Sequence, residues 1–253
     1  MATVNEKMTA IADAIRDKTG KTDALTLDNM AEDISRVYES GQKAQYDEFW
    51  DNFQDNGNRT NYSRAFGKYW NDAIFNPKYA IKPVGTIAYI FAYSGLTDIA
   101  KLFADSGVEF DTSEATAFNE FASYSSTISH LPAISTVGAS SLDSIFYNNG
   151  AIHTIDKLIF KDDGSQTWAS SAFNGLASLV NIRIEGKIGA SLNLSKASKL
   201  SYESLAGEEG FINALYDYSE TTETRTLTLH ATAKAKLSES DIAVITQKGW
   251  TLA

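Results

Sequence analysis

Side chains that usually perform nucleophilic or metal chemistry are scarce in this chain, which contains no cysteine and three histidines. Without cysteine, disulfides, thiolate nucleophiles, thiolate zinc sites and iron–sulfur clusters are excluded. His130, His153 and His230 lie far apart along the chain. None has a second histidine about three to five positions away, the spacing that zinc motifs use. We therefore interpret the histidines as surface or turn residues rather than as metal ligands or catalytic bases.

Two short segments imitate ligand-binding motifs without matching them. Gly20-Lys21-Thr22 has the end of a phosphate-binding loop, but Ile15 stands where the first glycine belongs and a predicted helix precedes it. Acidic and amide residues around Gly57 offer oxygen ligands for calcium, but they lack the EF-hand spacing and its distal glutamate. No Gly-x-Ser-x-Gly elbow occurs. The sequence thus predicts that the protein is not an enzyme and uses no metal or cofactor.

Aromatic side chains are the remaining candidates for contact with a ligand. Four of them lie near regularly spaced phenylalanines and are expected to line one face of a repeat domain: Tyr93, Tyr124, Tyr147 and Trp168. An aromatic ring offers an apolar face and, in tyrosine and tryptophan, a polar edge, which suits stacking on sugars. For each of the four, packing in the core or at an edge is the alternative.

The phenylalanines themselves predict a repeat. Phe91, Phe118, Phe146 and Phe173 recur about every 27 residues, an interval within the range of leucine-rich repeats. Leu200 continues this interval, and Phe66 precedes the set at a slightly shorter one. Polar turns and then regularly spaced apolar residues follow each phenylalanine. We therefore expect stacked coils with one shared core and these phenylalanines in a single ladder; chance periodicity is the alternative.

Four segments are predicted around this repeat. Residues 1–54 form a helical attachment or oligomerisation module, and residues 55–85 form an aromatic connector that caps the first coil. Residues 86–201 form a degenerate leucine-rich-repeat β-solenoid, and residues 202–253 form a strand–helix–strand cap. The predicted fold class is therefore α+β.

The N-terminal module is predicted to contain two helices. Thr3 and Glu6 have capping-box spacing, and Gly20 stands where the first helix would stop. A second helix is expected to begin near Thr26 or Asp28. Because two short helices bury little surface alone, we expect them to attach to other copies or to a mounting surface; folding onto the same chain is the alternative. The predicted attachment face consists of Met8, Ile11, Ile15, Met30, Ile34 and Val37.

The charge of the chain argues against two classes of partner. Its 22 basic and 32 acidic residues give a net charge of −10, which repels nucleic acid and anionic membranes. No apolar run approaches the roughly 18 to 20 residues needed to cross a bilayer. The N-terminus lacks the basic and apolar regions of a signal peptide. We therefore expect a protein that is made and kept in the cytoplasm, or that leaves the cell by a route other than standard secretion, such as release by lysis.

Three groups of motifs resemble a known class of protein. IADAIRDKTG at 11–20 with LTLDNM at 25–30 resembles the N-terminal module of tail-associated and other structural proteins from phages and prophages of gut Firmicutes. FWD at 49–51, GNRTNY at 57–62, WND at 70–72 and NPKY at 76–79 resemble the link to BspA-like leucine-rich repeats in those proteins. TLTL at 226–229 and KGWTL at 248–252 resemble their ending.

This resemblance implies a virion location and a recognition role. It implies tail association, host attachment through a receptor-binding repeat domain that contacts a host-surface glycan or protein, and contact with other virion proteins through the N-terminal module. It also implies a homo-oligomer, a trimer as in many phage fibres, and supplies no binding residues. The alternatives are a head fibre, decoration or baseplate component, a bacterial leucine-rich-repeat adhesin or interaction module, and a glycan-degrading tail enzyme.

Overall fold

The computed structural model describes residues 4–19, 65–169 and 171–253. The chain divides into two compact units, Met1–Gln54 and Asp55–Ala253. Several predicted features of the first unit lie outside the described residues, namely Thr3 of the capping box, the second helix and the attachment residues Met30, Ile34 and Val37. The side chain of Met8 also lies outside the description.

The described part of the first unit is helix α1, Val4–Thr19, which ends directly before the predicted stop at Gly20. Its sequence is amphipathic, and Ala12 and Ile15 are buried. Ile11 was predicted to share the face of Ile15, but 44% of its surface is exposed. The two attachment residues whose side chains are described therefore differ in burial.

The second unit combines helices with two sheets. In chain order its elements are α2 (Ile99–Ser106), β1 (His130–Leu131), β2 (Ile134–Ser135), β3 (Thr154–Ile159), β4 (Asn181–Glu185), β5 (Leu192–Leu194), α3 (Tyr202–Ala206), α4 (Phe211–Ala214), β6 (Arg225–Leu229), α5 (Ala231–Lys234), α6 (Glu239–Gln247) and β7 (Trp250–Leu252).

Both sheets are parallel. Strand β3 pairs with β1, β2 and β4 in the first sheet, and the second has the order β5-β6-β7. Thr154 pairs with His130 on one side and with Asn181 on the other. Isolated bridges in the described residues are also parallel, beginning with Asn71 and Gly95. Parallel pairing requires the chain to cross back between successive strands, and we call each such passage a coil.

A second set of pairings joins turns rather than strands. Six non-glycine residues in these turns have φ between 53° and 61°: Tyr89, Tyr93, Glu120, Tyr124, Ser144 and Asn148. Backbone N–H groups of one turn donate to carbonyls of the next, at 3.0 Å from Phe91 to Phe121 and 3.1 Å from Ala122 to Ile145. We call residues 89–94, 120–125 and 144–149 the turn column.

The turn column corrects the predicted phenylalanine ladder. In each of these backbone bonds between turns, the N–H of one residue donates to the carbonyl of the residue that precedes its equivalent in the next turn. The N–H of Phe66 donates to Ile90 and that of Phe146 donates to Ala172. Equivalent positions are therefore held by Phe66, Phe91, Phe146 and Phe173. In the intervening coil the equivalent residue is Ala122. The prediction was wrong for Phe118, because the coil between the first two turns of the column is longer than the coil after it. A search for a constant interval therefore selects the wrong phenylalanine.

The core nevertheless keeps an aromatic ring in every coil. The rings of Phe66 and Phe91 lie 5.7 Å apart, nearly parallel, and Phe121 contacts Phe91 edge-on at 5.4 Å. Phe118 packs against Phe121 at 6.0 Å. These rings are buried, and burial of one such side chain contributes about 1.5–3 kcal/mol. Phe121 thus supplies the ring that Ala122 lacks.

Buried polar residues tie each turn to the one before it. Ser94, Ser125 and Asn149 each follow the last left-handed residue of their turn, and all are buried. Ser125 Oγ donates to the carbonyl of Phe91 at 2.6 Å, and Asn149 Nδ2 makes the equivalent bond to Ala122 at 2.8 Å. Since a buried unpaired polar group is costly, this pairing fixes how the turns stack. We call the passage from Ser94 to Ser125 the long coil.

The C-terminal segment contains the predicted strand, helix and strand as β6, α6 and β7. Helix α6 begins with the predicted capping box, in which Ser238 Oγ accepts from the Asp241 N–H and the Asp241 carboxylate accepts from the Ser238 N–H. The Ser238 hydroxyl also donates to the Asp241 carboxylate, and this bond, together with that from the Ser238 N–H, holds the pKa of Asp241 below its usual value. Lys248, which follows the helix, donates to three carbonyls at the end of α4, at 2.9 to 3.1 Å.

Candidate ligand-binding site

Three of the four predicted aromatic residues come together on the surface of the second unit. The rings of Tyr93 and Tyr124 are parallel, with centroids 5.0 Å apart and an interplanar angle of 2°. Tyr147 meets Tyr124 edge-on at 5.5 Å. Tyr93 is 55% exposed and Tyr124 is 37% exposed, and Tyr147 is half-buried. We call these three residues the tyrosine strip.

The turn column determines the geometry of this strip. Tyr93 and Tyr124 are equivalent residues of successive turns, with φ of 61° and 56°. That conformation costs a bulky L-residue about 1–2 kcal/mol. It is held by backbone bonds of 3.2 Å, from Tyr93 to Ser123 and from Tyr124 to Tyr147. Because the two backbones are equivalent, the two side chains leave in the same direction and stack.

Two residues of the strip, Tyr93 and Tyr124, border a groove with a volume of 720 Å³. Polar groups lie beside the rings: Lys68 and Glu120 line the groove, and Tyr89 donates from its hydroxyl to the Glu120 carboxylate at 3.1 Å. Packing of Tyr124 against its neighbours, with Tyr147 and Glu120 close by, raises the pKa of its hydroxyl. A tyrosine hydroxyl is protonated at neutral pH, and this shift extends the protonated form to higher pH, so the Tyr124 hydroxyl keeps its hydrogen for donation.

Trp168 does not belong to the strip. Its ring contacts Phe160 at 5.5 Å and Phe173 at 5.6 Å, and its Nε1–H donates to the carbonyl of Ser191 at 2.8 Å. It lines a separate groove of 550 Å³ with residues of the next coils. The prediction that all four aromatic residues share one face is therefore corrected to a face of three, with Trp168 at a second groove.

Of the histidines, His130 has the most specific surroundings. Its Nδ1 lies 3.0 Å from Asp98 and its Nε2 lies 2.8 Å from Asp156, one carboxylate on each neighbouring coil. Partial burial favours the neutral ring, but the hydrogen bond to Asp156 and the charge of Asp98 outweigh it, so the pKa of His130 is raised. His130 thus links three coils when it is charged.

The other two histidines make local contacts. His230 accepts a hydrogen bond from the backbone N–H of Thr232 at 3.2 Å, at the start of α5. His153 lies on the surface beside the hydroxyl of Thr154, 3.3 Å away. Within the described residues there is no group of three or more side chains placed to hold a metal ion.

Lys68, Tyr89 and Glu120 were not among the predicted site residues. The sequence does contain a signal for two of them, because YIFAYS at 89–94 and EFASYS at 120–125 both end in Tyr-Ser. Aligning these endings gives the long coil and places Tyr89 opposite Glu120. The interval between phenylalanines is a more regular pattern than the two Tyr-Ser endings, and it favours a different alignment of the coils.

No protein-family model, curated protein or solved structure matches this chain. In the parts of the chain that the structure describes, every helix is too short or too polar to pass through a bilayer.

Proposed function

We propose that this chain is a non-enzymatic bacteriophage virion protein, associated with the tail, that binds a host-surface glycan through the tyrosine strip. The observation that carries the binding role is the exposed, parallel pair Tyr93 and Tyr124 beside a groove of 720 Å³. The virion location draws support from the N-terminal and C-terminal motifs that resemble phage structural proteins.

The second unit is proposed to be a degenerate leucine-rich-repeat solenoid. Two independent sets of pairings support this architecture, the parallel bridges between strands one coil apart and the backbone bonds between successive turns. The buried bonds of Ser125 and Asn149, equivalent in successive coils, add a third. Stacked coils give a rigid surface on which exposed side chains keep a fixed spacing.

A glycan is the class of ligand that fits the strip. Tyrosine supplies a large, rigid contact area at low entropic cost and is common on recognition surfaces. The hydroxyl of Tyr124, the ammonium of Lys68 and the carboxylate of Glu120 add donors and acceptors around apolar rings. A site with a few polar groups among aromatic side chains matches a sugar, which has apolar ring faces and hydroxyl edges.

Binding without hydrolysis is the expected outcome at this groove. Glycoside hydrolysis commonly uses a pair of carboxyl groups on either side of the scissile bond. Of the described residues that line the groove, Glu120 alone carries a carboxylate, and it accepts a hydrogen bond from Tyr89. The proposed activity is therefore attachment.

The N-terminal module is proposed to attach the protein to other virion proteins and to hold a homo-oligomer, with three copies as in many phage fibres. Helix α1 presents Ile11 with 44% of its surface exposed. Support for such a contact comes from the amphipathic sequence of α1 and from the motifs at 11–20 and 25–30, which resemble the N-terminal module of phage structural proteins.

Binding of the purified chain to cells and wall polysaccharides of a panel of Firmicutes tests the proposal. The informative variant combines Tyr93→Ala with Tyr124→Ala, and Tyr202→Ala is the matched control, since Tyr202 is 48% exposed but lies on α3. We expect the double variant to bind at least about tenfold more weakly, since each aromatic contact contributes about 1 kcal/mol or more, and the control to bind normally.

Two outcomes would contradict the proposal. If the chain bound no cell and no glycan of the panel, the proposed attachment role would be wrong. If the double variant and the control bound equally, the tyrosine strip would not be the binding site. Labelling the protein in imaged phage particles separates a tail position from a head fibre, decoration or baseplate position.

A further inference from the structure

The groove beside Trp168, which we call the tryptophan groove, is lined in part by two glycines. Its 550 Å³ volume lies between the loops around Gly164 and Gly189 and the segment from Tyr216 to Arg225. A Cβ atom on Gly189 would lie 1.8 Å from the carbonyl oxygen of Gly164, and one on Gly164 would lie 2.6 Å from the Tyr216 ring. Only glycine fits at these two positions, so the loops meet closely and leave the space above them open.

Aromatic side chains form the walls of the tryptophan groove. The indole of Trp168 has one donor, its Nε1–H, and this is used on the carbonyl of Ser191. Trp168 therefore offers only carbon surface to the groove. Tyr216 and Tyr218 pack together at 5.1 Å, and Tyr218 donates from its hydroxyl to the carbonyl of Gly189 at 2.7 Å. These bonds fix the rings before any ligand arrives.

A fixed ion pair lies at one side of the groove. Arg225 donates from Nε to the carbonyl of Gly189 at 2.9 Å, pairs through Nη2 with the carboxylate of Glu223, and lies 5.0 Å above the ring of Tyr218. A guanidinium has five N–H donors in a rigid plane, so these contacts orient it without using all of them. Arg225 and Glu223 together present donors and acceptors side by side.

A second carboxylate faces the same space. Asp163 accepts a hydrogen bond from the Ser165 N–H at 2.9 Å, and bonds with Ser165 hold the pKa of this carboxyl below its usual value. At neutral pH the groove therefore carries two carboxylates against one guanidinium. Within a chain of net charge −10, this local excess of negative charge disfavours anionic ligands.

We infer that the tryptophan groove is a second binding site, specific for an uncharged saccharide whose ring packs on Trp168 and whose hydroxyls bond with Arg225, Glu223 and Asp163. Vicinal hydroxyls both donate and accept, which matches adjacent guanidinium and carboxylate groups. The volume lies within the roughly 300–1,000 Å³ typical of small-molecule sites. The site is formed by residues outside the tyrosine strip and does not require the strip to bind.

Titration calorimetry of the full chain tests this site, with neutral disaccharides and trisaccharides of glucose, galactose, rhamnose and N-acetylglucosamine as probes and a uronic-acid disaccharide as the anionic comparison. Replacement Arg225→Gln removes hydrogen bonds from a charged donor, so we expect about tenfold weaker binding or more. Arg183→Gln is the matched control, because this replacement makes the same change of charge at a residue of β4 that does not line the groove and whose side chain is 59% exposed.

Further variants keep the test independent of folding and of the strip. Glu223→Gln is the second variant, for use if Arg225→Gln lowers the melting temperature. Because 54% of the Glu223 side chain is exposed, this replacement should preserve the fold, and it should also weaken binding. The combined Tyr93→Ala and Tyr124→Ala variant should bind these probes as the unmodified chain does. The inference is overturned if no neutral probe binds, if the Arg225, Glu223 and Arg183 variants bind equally, or if the uronic acid binds more tightly.

Discussion

Two regions of the second unit, the turn column and strands β1 to β4, hold neighbouring coils together in different ways. In the turn column, successive coils are joined by buried bonds, such as that from Ser125 to Phe91. Along the strands β1 to β4, neighbouring coils are joined on the surface by charged pairs, such as Lys157 with Glu185 and Glu209 at 3.0 and 2.7 Å. The turns therefore depend on shape and polar pairing, whereas the strands add contacts that respond to pH and salt.

The largest effect is expected where the turn column meets the core. Phe121→Ala removes a fully buried ring that contacts Phe91, Phe110 and Phe118. Loss of such a ring leaves a cavity, and we expect the free energy of unfolding to fall by about 3–5 kcal/mol. Chemical denaturation measures this change. A fall below about 1.5 kcal/mol would mean that Phe121 does not replace the missing ring at Ala122.

A smaller effect is expected from the buried polar bonds of the column. Ser125→Ala removes the bonds of Ser125 Oγ to the carbonyl of Phe91 and the N–H of Ser94, which keep only their mutual bond of 3.3 Å, at a cost of about 0.5–1.5 kcal/mol in the free energy of unfolding. Ser126→Ala is the control, because the neighbouring Ser126 is exposed and its replacement should change stability by less than about 0.5 kcal/mol. Equal effects of the two replacements would contradict the assignment of these bonds to turn stacking.

The smallest effect is expected on the strand side and depends on pH. Because the folded chain raises the pKa of His130, its charged form stabilises the fold below the unfolded pKa, and this contribution is lost as the pH rises through the folded pKa. We expect the melting temperature to fall more for the unmodified chain than for His130→Gln between about pH 6 and pH 8. Added salt should reduce the difference. If the melting temperatures of both chains changed equally with pH, charged His130 would not stabilise the contact between the three coils.

Local features of this molecule could be predicted from sequence, and features formed between coils could be predicted only in part. The capping box of Ser238 and Asp241 and the helix from Val4 to Thr19 depend on residues a few positions apart. The phenylalanine interval was right for Phe91, Phe146 and Phe173, yet wrong for Phe118, because coil length varies while the turns stay aligned.

The remaining differences between prediction and structure, at His130 and Trp168, depend on how neighbouring coils align. His130 acquires its two carboxylates from Asp98 and Asp156, which belong to the coils on either side, and no spacing within one coil reveals that arrangement. Trp168 leaves the predicted face because it precedes its turn: Ser141 pairs with Thr167 in the next coil, so Trp168 is equivalent to Leu142 and not to the turn tyrosines. Contacts of this kind appear in a sequence only after the coils have been correctly aligned.

The unequal coil lengths also determine where the protein tolerates additional residues. The long coil contains α2, which is capped by Gly107; this residue has a φ of 65°, which favours glycine, and an added Cβ there would meet nothing within 4 Å. A short epitope inserted after Gly107, with this glycine kept, should lengthen one loop and leave the aligned turns, and with them both grooves, in place. Antibody labelling at Gly107 would then allow the chain to be located by microscopy while it still binds its ligand.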